Sequence, residues 1–230
     1  MPLILNIETS TTACSVSLGQ DGKCIGLKEL NGDYTHAENL TLFVEDVMKQ
    51  GGKKLSELDA IAVSKGPGSY TGLRIGVSTA KGLCYSLDKP LIAVDTLQHM
   101  AFSVIGRWNI ETPEAFYVPM LDARRMEVYS AIYSAGEKRI RETQAEIIDE
   151  NSFSSLLSEH PMVFFGDGAA KCKDVLSKNK NAMFIDDIFP SGKDMIPLSE
   201  KAFAEKQFED VAYFEPFYLK DFIAGKKKAN

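Results

Sequence analysis

The stretch SKGPGSYTGLRIG, residues 64–76, joins the apolar segment DAIAVS (59–64) to a long apolar run. Glycines between a buried strand and a helix are typical of loops that hold phosphate groups. The P-loop pattern requires a lysine directly after its last glycine, and none follows Gly72. The dinucleotide pattern G-x-G-x-x-G does not fit either, because Gly68 and Gly72 are one residue too far apart. The stretch therefore predicts a sharp strand-to-helix turn, and anion binding at the helix N-terminus remains a lesser alternative.

The helix that follows, residues 71–86, carries only two charges, Arg74 and Lys81. Each glycine inside a helix costs about 1 kcal/mol relative to alanine, which indicates close packing at those positions. Small residues recur at spacings of four in two sets, Gly72-Gly76-Ala80 and Ser78-Gly82-Ser86. One set can face the sheet of the protein itself, and the other predicts a partner helix or subunit. Burial wholly within the chain is the alternative.

The order of predicted elements occurs twice along the chain. Three strands (3–9, 13–19 and 24–30), a helix (37–50), the strand 59–64 and the helix 71–86 are followed by the short strand PLIAV. From about residue 115 come three strands, a helix near 152–158, the strand PMVFFG and a helix beginning near Ala169. Two β-β-β-α-β-α halves predict an α/β protein with the actin-like ATPase (ASKHA, ribonuclease H-like) fold. The expected lobes are residues 1–105 and 106–230, and packing of the C-terminal segment back on the first lobe is the alternative for that segment.

The first strand of each half ends in a polar turn. In actin-like ATPases the two corresponding hairpins hold the phosphates of the nucleotide, so the candidates here are Thr9 and Ser10 in the first half and Asp122 in the second. Gly166 and Gly168 lie where the loop on the adenosine side is expected. The alternative for each position is an ordinary turn or helix cap, which favours the same residue types.

Composition narrows the function classes. The net charge of −6 and the pI of about 5.2 disfavour the broad basic surface that binds nucleic-acid phosphates, and the basic run at residues 226–228 is expected to be a solvated tail. The four cysteines have no C-x-x-C spacing, so we interpret them as reduced structural residues and not as ligands of a zinc site. The sequence contains neither a secretory leader pattern nor an apolar run long enough to span a bilayer. We therefore expect a cytoplasmic protein that has no membrane partner.

Four segments together resemble one family. GPGSYTGLRIG followed by AKGL, the N-terminal LNIETSTTACSVSL, HAENL, and the later DARRMEVY are similar to the TsaB (YeaZ) family of tRNA threonylcarbamoyladenosine biosynthesis proteins. The similarity covers the first 130 residues well and the remainder weakly. It implies a non-catalytic relative of TsaD that has no cofactor of its own.

The same resemblance implies partners. They are a TsaD-like catalytic subunit and a TsaE-like ATPase, with ATP and metal on those subunits and tRNA reached only through the complex, which modifies adenosine 37. A homodimer through the same helical surface is also implied. In this sequence that surface corresponds to the helices 37–50 and 71–86, with these expected interface residues: Leu40, Phe43, Val47, Gly76, Thr79, Ala80 and Leu83.

The catalytic relatives carry a metal motif H-x-x-x-H, and the corresponding positions here are Thr96 and Met100. The three histidines, His36, His99 and His160, are far apart in sequence, so we predict no metal site.

Two enzyme alternatives remain. An actin-like ATPase or phosphotransferase would use Glu8, Asp122 and Asp167 as metal-water ligands or bases. A peptidase would need Ser69 as its nucleophile, but the sequence identifies no histidine to activate it.

Overall fold

The structure is a computed structural model that describes residues 2–32, 36–108, 112 and 114–219. Its strands form two five-stranded sheets. The strands are β1 (Leu3–Glu8), β2 (Ala13–Gln20), β3 (Lys23–Asn31), β4 (Ala60–Gly66), β5 (Leu91–Asp95), β6 (Phe116–Asp122), β7 (Glu127–Ser134), β8 (Arg139–Ile147), β9 (Met162–Phe165) and β10 (Ala182–Ile185). The strand orders are β3-β2-β1-β4-β5 and β10-β9-β6-β7-β8. Each sheet is an antiparallel meander extended by two parallel strands.

Helices connect the parallel strands and cover the sheets. They are α1 (His36–Gln50), α2 (Tyr70–Leu87), α3 (Thr96–Arg107), α4 (Ser154–Glu159), α5 (Lys173–Leu176) and α6 (Gly192–Ala204), with short 3-10 turns at Leu55–Glu57 and Ala170–Cys172. Side chains cap the N-termini of α2, α3 and α6, where Ser69, Asp95 and Ser191 each accept a hydrogen bond from a backbone amide of the first turn. Among the described helices, none has both the length and the apolar composition needed to cross a bilayer.

The repeated order of elements is confirmed in both halves. The second half also contains β10 and α6, which the sequence pattern did not separate from the loops around them. The helix predicted near Ala169 is shorter than expected: a 3-10 turn leads into α5, which has four residues.

The central strands β1, β2 and β4 of the first sheet are buried on both faces, whereas the edge strand β3 is largely exposed. Side chains on one face of β1, Leu3, Leu5 and Ile7, belong to a core shared with α1 and α2. Ile4 on the opposite face packs with Met195 of α6. The first sheet therefore lies between the α1–α2 layer and α6.

Two helices cross between the halves of the chain. Leu97 and Val104 of α3 belong to the core of the second sheet, with Tyr133 of β7. Conversely, α6 follows the second sheet in sequence but packs on β1, β2 and β5 of the first. The proposed division at residues 105 and 106 falls beside this exchange, and it stays a prediction.

The segment after α6 lies along the first lobe. The amide of Glu209 donates to the carbonyl of Leu91 at 2.9 Å, and the amide of Phe217 donates to the carbonyl of Lys65 at 2.7 Å. Val211 and Phe214 pack against the core that α1 and α2 share with the sheet. Residues 209–217 thus add cover to α2 and to the edge of the sheet at β5.

Candidate functional site

The turn after β1, at Thr9 and Ser10, is closed by the glycine-rich stretch. The Thr9 hydroxyl donates to the carbonyl of Gly72 at 2.8 Å, and the amide of Ser69 donates to the carbonyl of Ser10 at 2.6 Å. Ser69 also caps α2, because its hydroxyl accepts from the amide of Gly72 at 3.3 Å. The Thr9 hydroxyl and the Ser10 carbonyl are therefore paired within the chain, whereas the buried Ser10 hydroxyl has no hydrogen-bond partner among the described residues.

Three glycines of the stretch make this contact possible. A Cβ atom built at Gly68 would overlap the carbonyl of Ser10, and one at Gly72 would overlap the carbonyl of Thr9. At Gly76 it would overlap the Thr9 hydroxyl. The glycines thus allow α2 to pack closely against the β1–β2 turn of the same chain. The sequence pattern had also suggested a partner subunit at such small residues.

The turn after β6 is closed in a similar way. The carboxylate of Asp122 pairs with the ammonium of Lys171. The backbone amide of Asp122 donates to the Asp167 carboxylate at 3.0 Å. The amide of Gly168 donates to the carbonyl of Met120 at 3.0 Å, and a Cβ built at Gly168 would lie 2.7 Å from the carbonyl carbon of Leu121.

The other two candidates at this turn are equally engaged. Gly166 has a φ of 99°, which favours glycine, and a Cβ atom built there would overlap the carbonyl of Met120. Burial raises the pKa of Asp167 above its usual value. Asp122, Gly166 and Gly168 therefore lie together at the end of β6, where they contact β6, Asp167 and Lys171, and their role in nucleotide binding stays a prediction.

Glu8, the last residue of β1, forms a fully buried pair with His99 of α3. One carboxylate oxygen lies 2.7 Å from His99 Nε2, and the other accepts from the Ser10 amide at 2.6 Å and the Ser64 hydroxyl at 3.0 Å. Burial alone would raise the pKa of Glu8, but the hydrogen bonds and the charge of His99 outweigh burial and lower it. Glu8 is therefore an ionised group whose oxygens are already occupied by donors of this chain.

The remaining catalytic candidates do not assemble into a centre. Ser69 serves as a helix cap, and His99 is occupied by Glu8. His160 packs against the ring of Phe116, with centroids 4.4 Å apart. In the part of the chain that the structure describes, no three His, Cys, Asp or Glu side chains are grouped closely enough to hold a metal ion.

The expected interface residues require a correction. Leu40, Phe43, Val47 and Ala80 are buried in the core between the helices and the first sheet. Gly76 is buried against Thr9, while Thr79 and Leu83 are half-buried. The apolar stripe read from the sequence is thus mainly the face that each helix turns toward its own sheet, so the five buried residues are not accessible to a partner, whereas the half-buried Thr79 and Leu83 stay predicted interface residues.

The opposite faces of α1 and α2 are open. The two helices touch each other in one layer, so their outer faces look to the same side. A Cβ built at Gly82 meets nothing within 4 Å, and the exposed fractions of Leu42 and Tyr85 are 55% and 87%. We call these outward residues the outer strip: Leu42, Thr71, Ser78, Gly82, Tyr85 and Ser86. The sequence pattern predicted the Ser78-Gly82-Ser86 set but not Leu42 and Tyr85. Their spacing from the buried residues of the same helices would have indicated that both side chains point outward.

The chain itself covers the flank of α2 where the two charges lie. The ammonium of Lys81 donates to the carbonyls of Ala212 at 3.1 Å and Phe214 at 3.0 Å, and Arg74 donates to the Tyr218 hydroxyl at 3.3 Å. The three sides of α2 therefore have different surroundings: one faces the sheet, one faces residues 209–218, and the outer strip is exposed. The sequence did not predict that the C-terminal segment covers one of them.

Comparison with known proteins identifies the family. Residues 33–228 match the family model described as TsaD, tRNA N6-adenosine threonylcarbamoyltransferase. The chain is 35% identical to the tRNA threonylcarbamoyladenosine biosynthesis protein TsaB of Escherichia coli strain K12, over 97% of each chain. The chain belongs to the TsaB (YeaZ) family. The resemblance first read from GPGSYTGLRIG and its companion segments is confirmed.

Solved structures agree with this membership. A Pseudomonas aeruginosa protein described as similar to peptidase YEAZ superposes with a TM-score of 0.81 at 25% identity, over 96% of this chain and 100% of that one. An activator of 2-hydroxyisocaproyl-CoA dehydratase from Clostridium difficile has a TM-score of 0.51 at 10% identity, covering 90% of this chain and 98% of that one. The actin-like ATPase fold class is confirmed, and in this TsaB-family chain both hairpins of that fold are closed by intramolecular contacts.

Proposed function

We propose that this chain is a non-catalytic subunit that binds and supports a TsaD-type threonylcarbamoyltransferase in forming N6-threonylcarbamoyladenosine at position 37 of tRNA. The E. coli relative is named as a biosynthesis protein of that nucleoside. The observation that carries the non-catalytic role is the pairing of Thr9 and Asp122 with groups of the same chain. An ATPase of this fold would need those hairpins free for phosphates.

The outer strip is the proposed contact surface for the TsaD-type subunit. The match of this chain to the TsaD family model indicates that the partner has related helices in a related arrangement. Surfaces of like shape can pair about a twofold or pseudo-twofold axis, so the same strip also suits a homodimer. Small side chains at Ser78, Gly82 and Ser86 allow a partner helix to approach closely, while Leu42 and Tyr85 supply apolar area at its margins.

The remaining members of the proposed assembly follow from charge and family. A net charge of −6 disfavours an independent tRNA surface, so tRNA is reached through the complex. A TsaE-like ATPase is proposed as the third protein, with ATP and metal on the partner subunits and the whole assembly in the cytoplasm.

Substitution of Gly82 tests the surface. In Gly82→Arg the new side chain points into open space in the free protein, so folding should be retained, but it would occupy the position of a partner helix. We expect loss of the complex with the TsaD-type subunit by at least about a hundredfold in affinity, measured by pull-down and by light scattering after size exclusion.

Gly106→Arg is the matched control, because Gly106 is an exposed glycine of α3 whose built Cβ also meets nothing within 4 Å. It should bind as the parent does. Unchanged binding by a folded Gly82→Arg variant would show that the outer strip is not the contact surface.

A further inference from the structure

A cavity of about 330 Å³ is lined by residues of both lobes, and none of the hairpin candidates Thr9, Ser10, Asp122, Gly166 and Gly168 is among them. Strands β4 and β5 of the first sheet and β8 of the second contribute to it, together with the C-terminal segment. Its lining residues are Lys65, Asp95, Arg139, Glu142, Thr143 and Phe217. Lys65 and Asp95 stand at the carboxyl ends of parallel strands, the edge of an α/β sheet where ligands usually bind.

The charges around the cavity are partly paired. Arg139 donates to Asp95 and to Glu142, each at 3.1 Å, which ties β8 to the end of β5. Asp95 is almost fully buried, while the Glu142 carboxylate is 80% exposed and has room for a second donor. Lys65 is half-buried as a residue, and among the described residues its ammonium has no hydrogen-bond or ion-pair partner.

Two further features point to a ligand. The Thr143 hydroxyl is buried and has no hydrogen-bond partner, although buried hydroxyls are normally paired. The Phe217 ring, 41% exposed, forms an apolar wall of the same cavity. The cavity thus presents an unpaired cation, an accessible carboxylate and an aromatic face, while the unpaired Thr143 hydroxyl lies beneath its surface.

We propose that this cavity binds a free α-amino acid. Its carboxylate would pair with Lys65, its ammonium with Glu142, and its side chain would lie on Phe217; rotation of the Thr143 side chain would bring its buried hydroxyl to the carboxylate. The lining carries two cations and two carboxylates, so its formal charge is neutral, as is that of a zwitterion. A nucleotide triphosphate would place several negative charges beside Asp95 and Glu142, which disfavours it here. The proposal does not depend on the TsaD-type partner.

Ligand-observed saturation-transfer NMR on the full chain tests the proposal, with each of the twenty common L-amino acids as the probe. We expect binding by one amino acid or a small group, with a Kd on the order of 1 mM. Lys65→Met and Glu142→Gln should each weaken that binding by about tenfold or more, because each removes a charged partner. The controls Lys180→Met and Glu159→Gln change exposed residues that do not line the cavity, and they should bind as the parent does.

Derivatives of the bound amino acid separate the two charges. Its amide lacks the carboxylate and its N-acetyl form lacks the ammonium, and both should bind at least about tenfold more weakly. The proposal is overturned if no amino acid gives a signal that Lys65→Met reduces while the variant keeps the melting temperature of the parent. Equal binding of the N-acetyl form would instead show a simple anion site, and Lys65-dependent binding of ATP would show a polyphosphate site, and either result overturns it.

Discussion

Gly76 and Gly82 occupy the same helix but have opposite surroundings. A side chain at Gly76 would overlap the Thr9 hydroxyl, whereas one at Gly82 would meet open space. Both residues reduce the intrinsic stability of α2. Only at Gly76 does the fold of the isolated chain explain the glycine, so the requirement for a small residue at position 82 would have to come from a partner.

Alanine at these two positions should therefore have opposite effects on stability. We expect Gly76→Ala to lower the free energy of unfolding by about 1–3 kcal/mol, because the methyl group forces α2 away from the β1–β2 turn. Gly82→Ala should raise it by about 0.5–1 kcal/mol, because it removes a helix glycine without a clash. Urea unfolding followed by circular dichroism measures both changes, and equal effects of the two substitutions would contradict this assignment.

The Glu8–His99 pair gives the chain a specific dependence on pH. The pKa of Glu8 is lowered from its ordinary value of 4.5 in the folded chain, so its contribution to stability is complete above that value and is lost as pH falls through the folded pKa. Glu8→Gln should cost about 3–5 kcal/mol near neutral pH, because it leaves His99 buried without its anion.

The difference in unfolding free energy between the parent and Glu8→Gln should shrink as the pH drops below about 4.5, since the parent then loses the same charge. Urea unfolding at several pH values measures this difference. Glu159→Gln, at an exposed carboxylate, should show little change at any pH. A difference that grows toward acid pH would mean that burial dominates and that Glu8 is protonated in the native chain.

At the scale of the element, α2 is a helix with three environments. Its buried side completes the core of the first lobe, its charged flank holds residues 209–218, and its outer strip is exposed. A helix that is apolar or small on most faces is normally buried all round, which is why the sequence indicated a partner. The structure assigns part of that cover to the C-terminal segment of the same chain.

Removal of the Lys81 ammonium should release this segment. Lys81→Met keeps the length and apolar stem of the side chain but deletes the donors to the carbonyls of Ala212 and Phe214. We expect a loss of about 1–3 kcal/mol in local stability, since hydrogen bonds to charged groups contribute about that much. Hydrogen exchange of residues 209–218 should become faster, and exchange in β1 should not. Unchanged exchange in the segment would show that its other contacts, the packing of Val211 and Phe214 and the backbone hydrogen bonds of Glu209 and Phe217, hold it without Lys81.

At the scale of the molecule, the exchange of α3 and α6 links the two halves. Each helix packs in a core that belongs mainly to the other half of the chain. Arg107 of α3 and Asp194 of α6 also form an ion pair. The apolar core of each sheet is therefore incomplete without residues from the opposite half.

The two halves should consequently unfold together. We expect a single calorimetric transition with equal calorimetric and van't Hoff enthalpies. A fragment of residues 1–105 should not fold, because it lacks α6 and exposes the face of the first sheet that Met195 covers, and it also leaves the apolar side of α3 bare. Dispersed amide signals from that fragment, or two separate transitions in the full chain, would show that the halves are independent.

Several features followed from sequence because they depend on neighbours along the chain. The periods of apolar residues located nearly all strands and the long helices α1 and α2 but not α3, and the polar turns at Thr9 and Asp122 fell at strand ends as expected. The absence of a lysine after Gly72 argued against a P-loop, and hydrogen bonds within the chain now occupy that turn. The later strand β10 and the helix α6 were missed because their signals are weak between polar loops.

The sequence by itself determined the repeated β-β-β-α-β-α order, the actin-like fold class and the TsaB family, because periodicity and motifs are local properties. Only the tertiary structure decided which face of each helix is buried, since Leu40 and Ala80 look equally suited to a core and to an interface until the sheet is placed. The His99 partner of Glu8 lies 91 residues away, and the cavity joins residues from β4 to the C-terminal segment. Such contacts arise from the packing of distant segments, which no local pattern encodes.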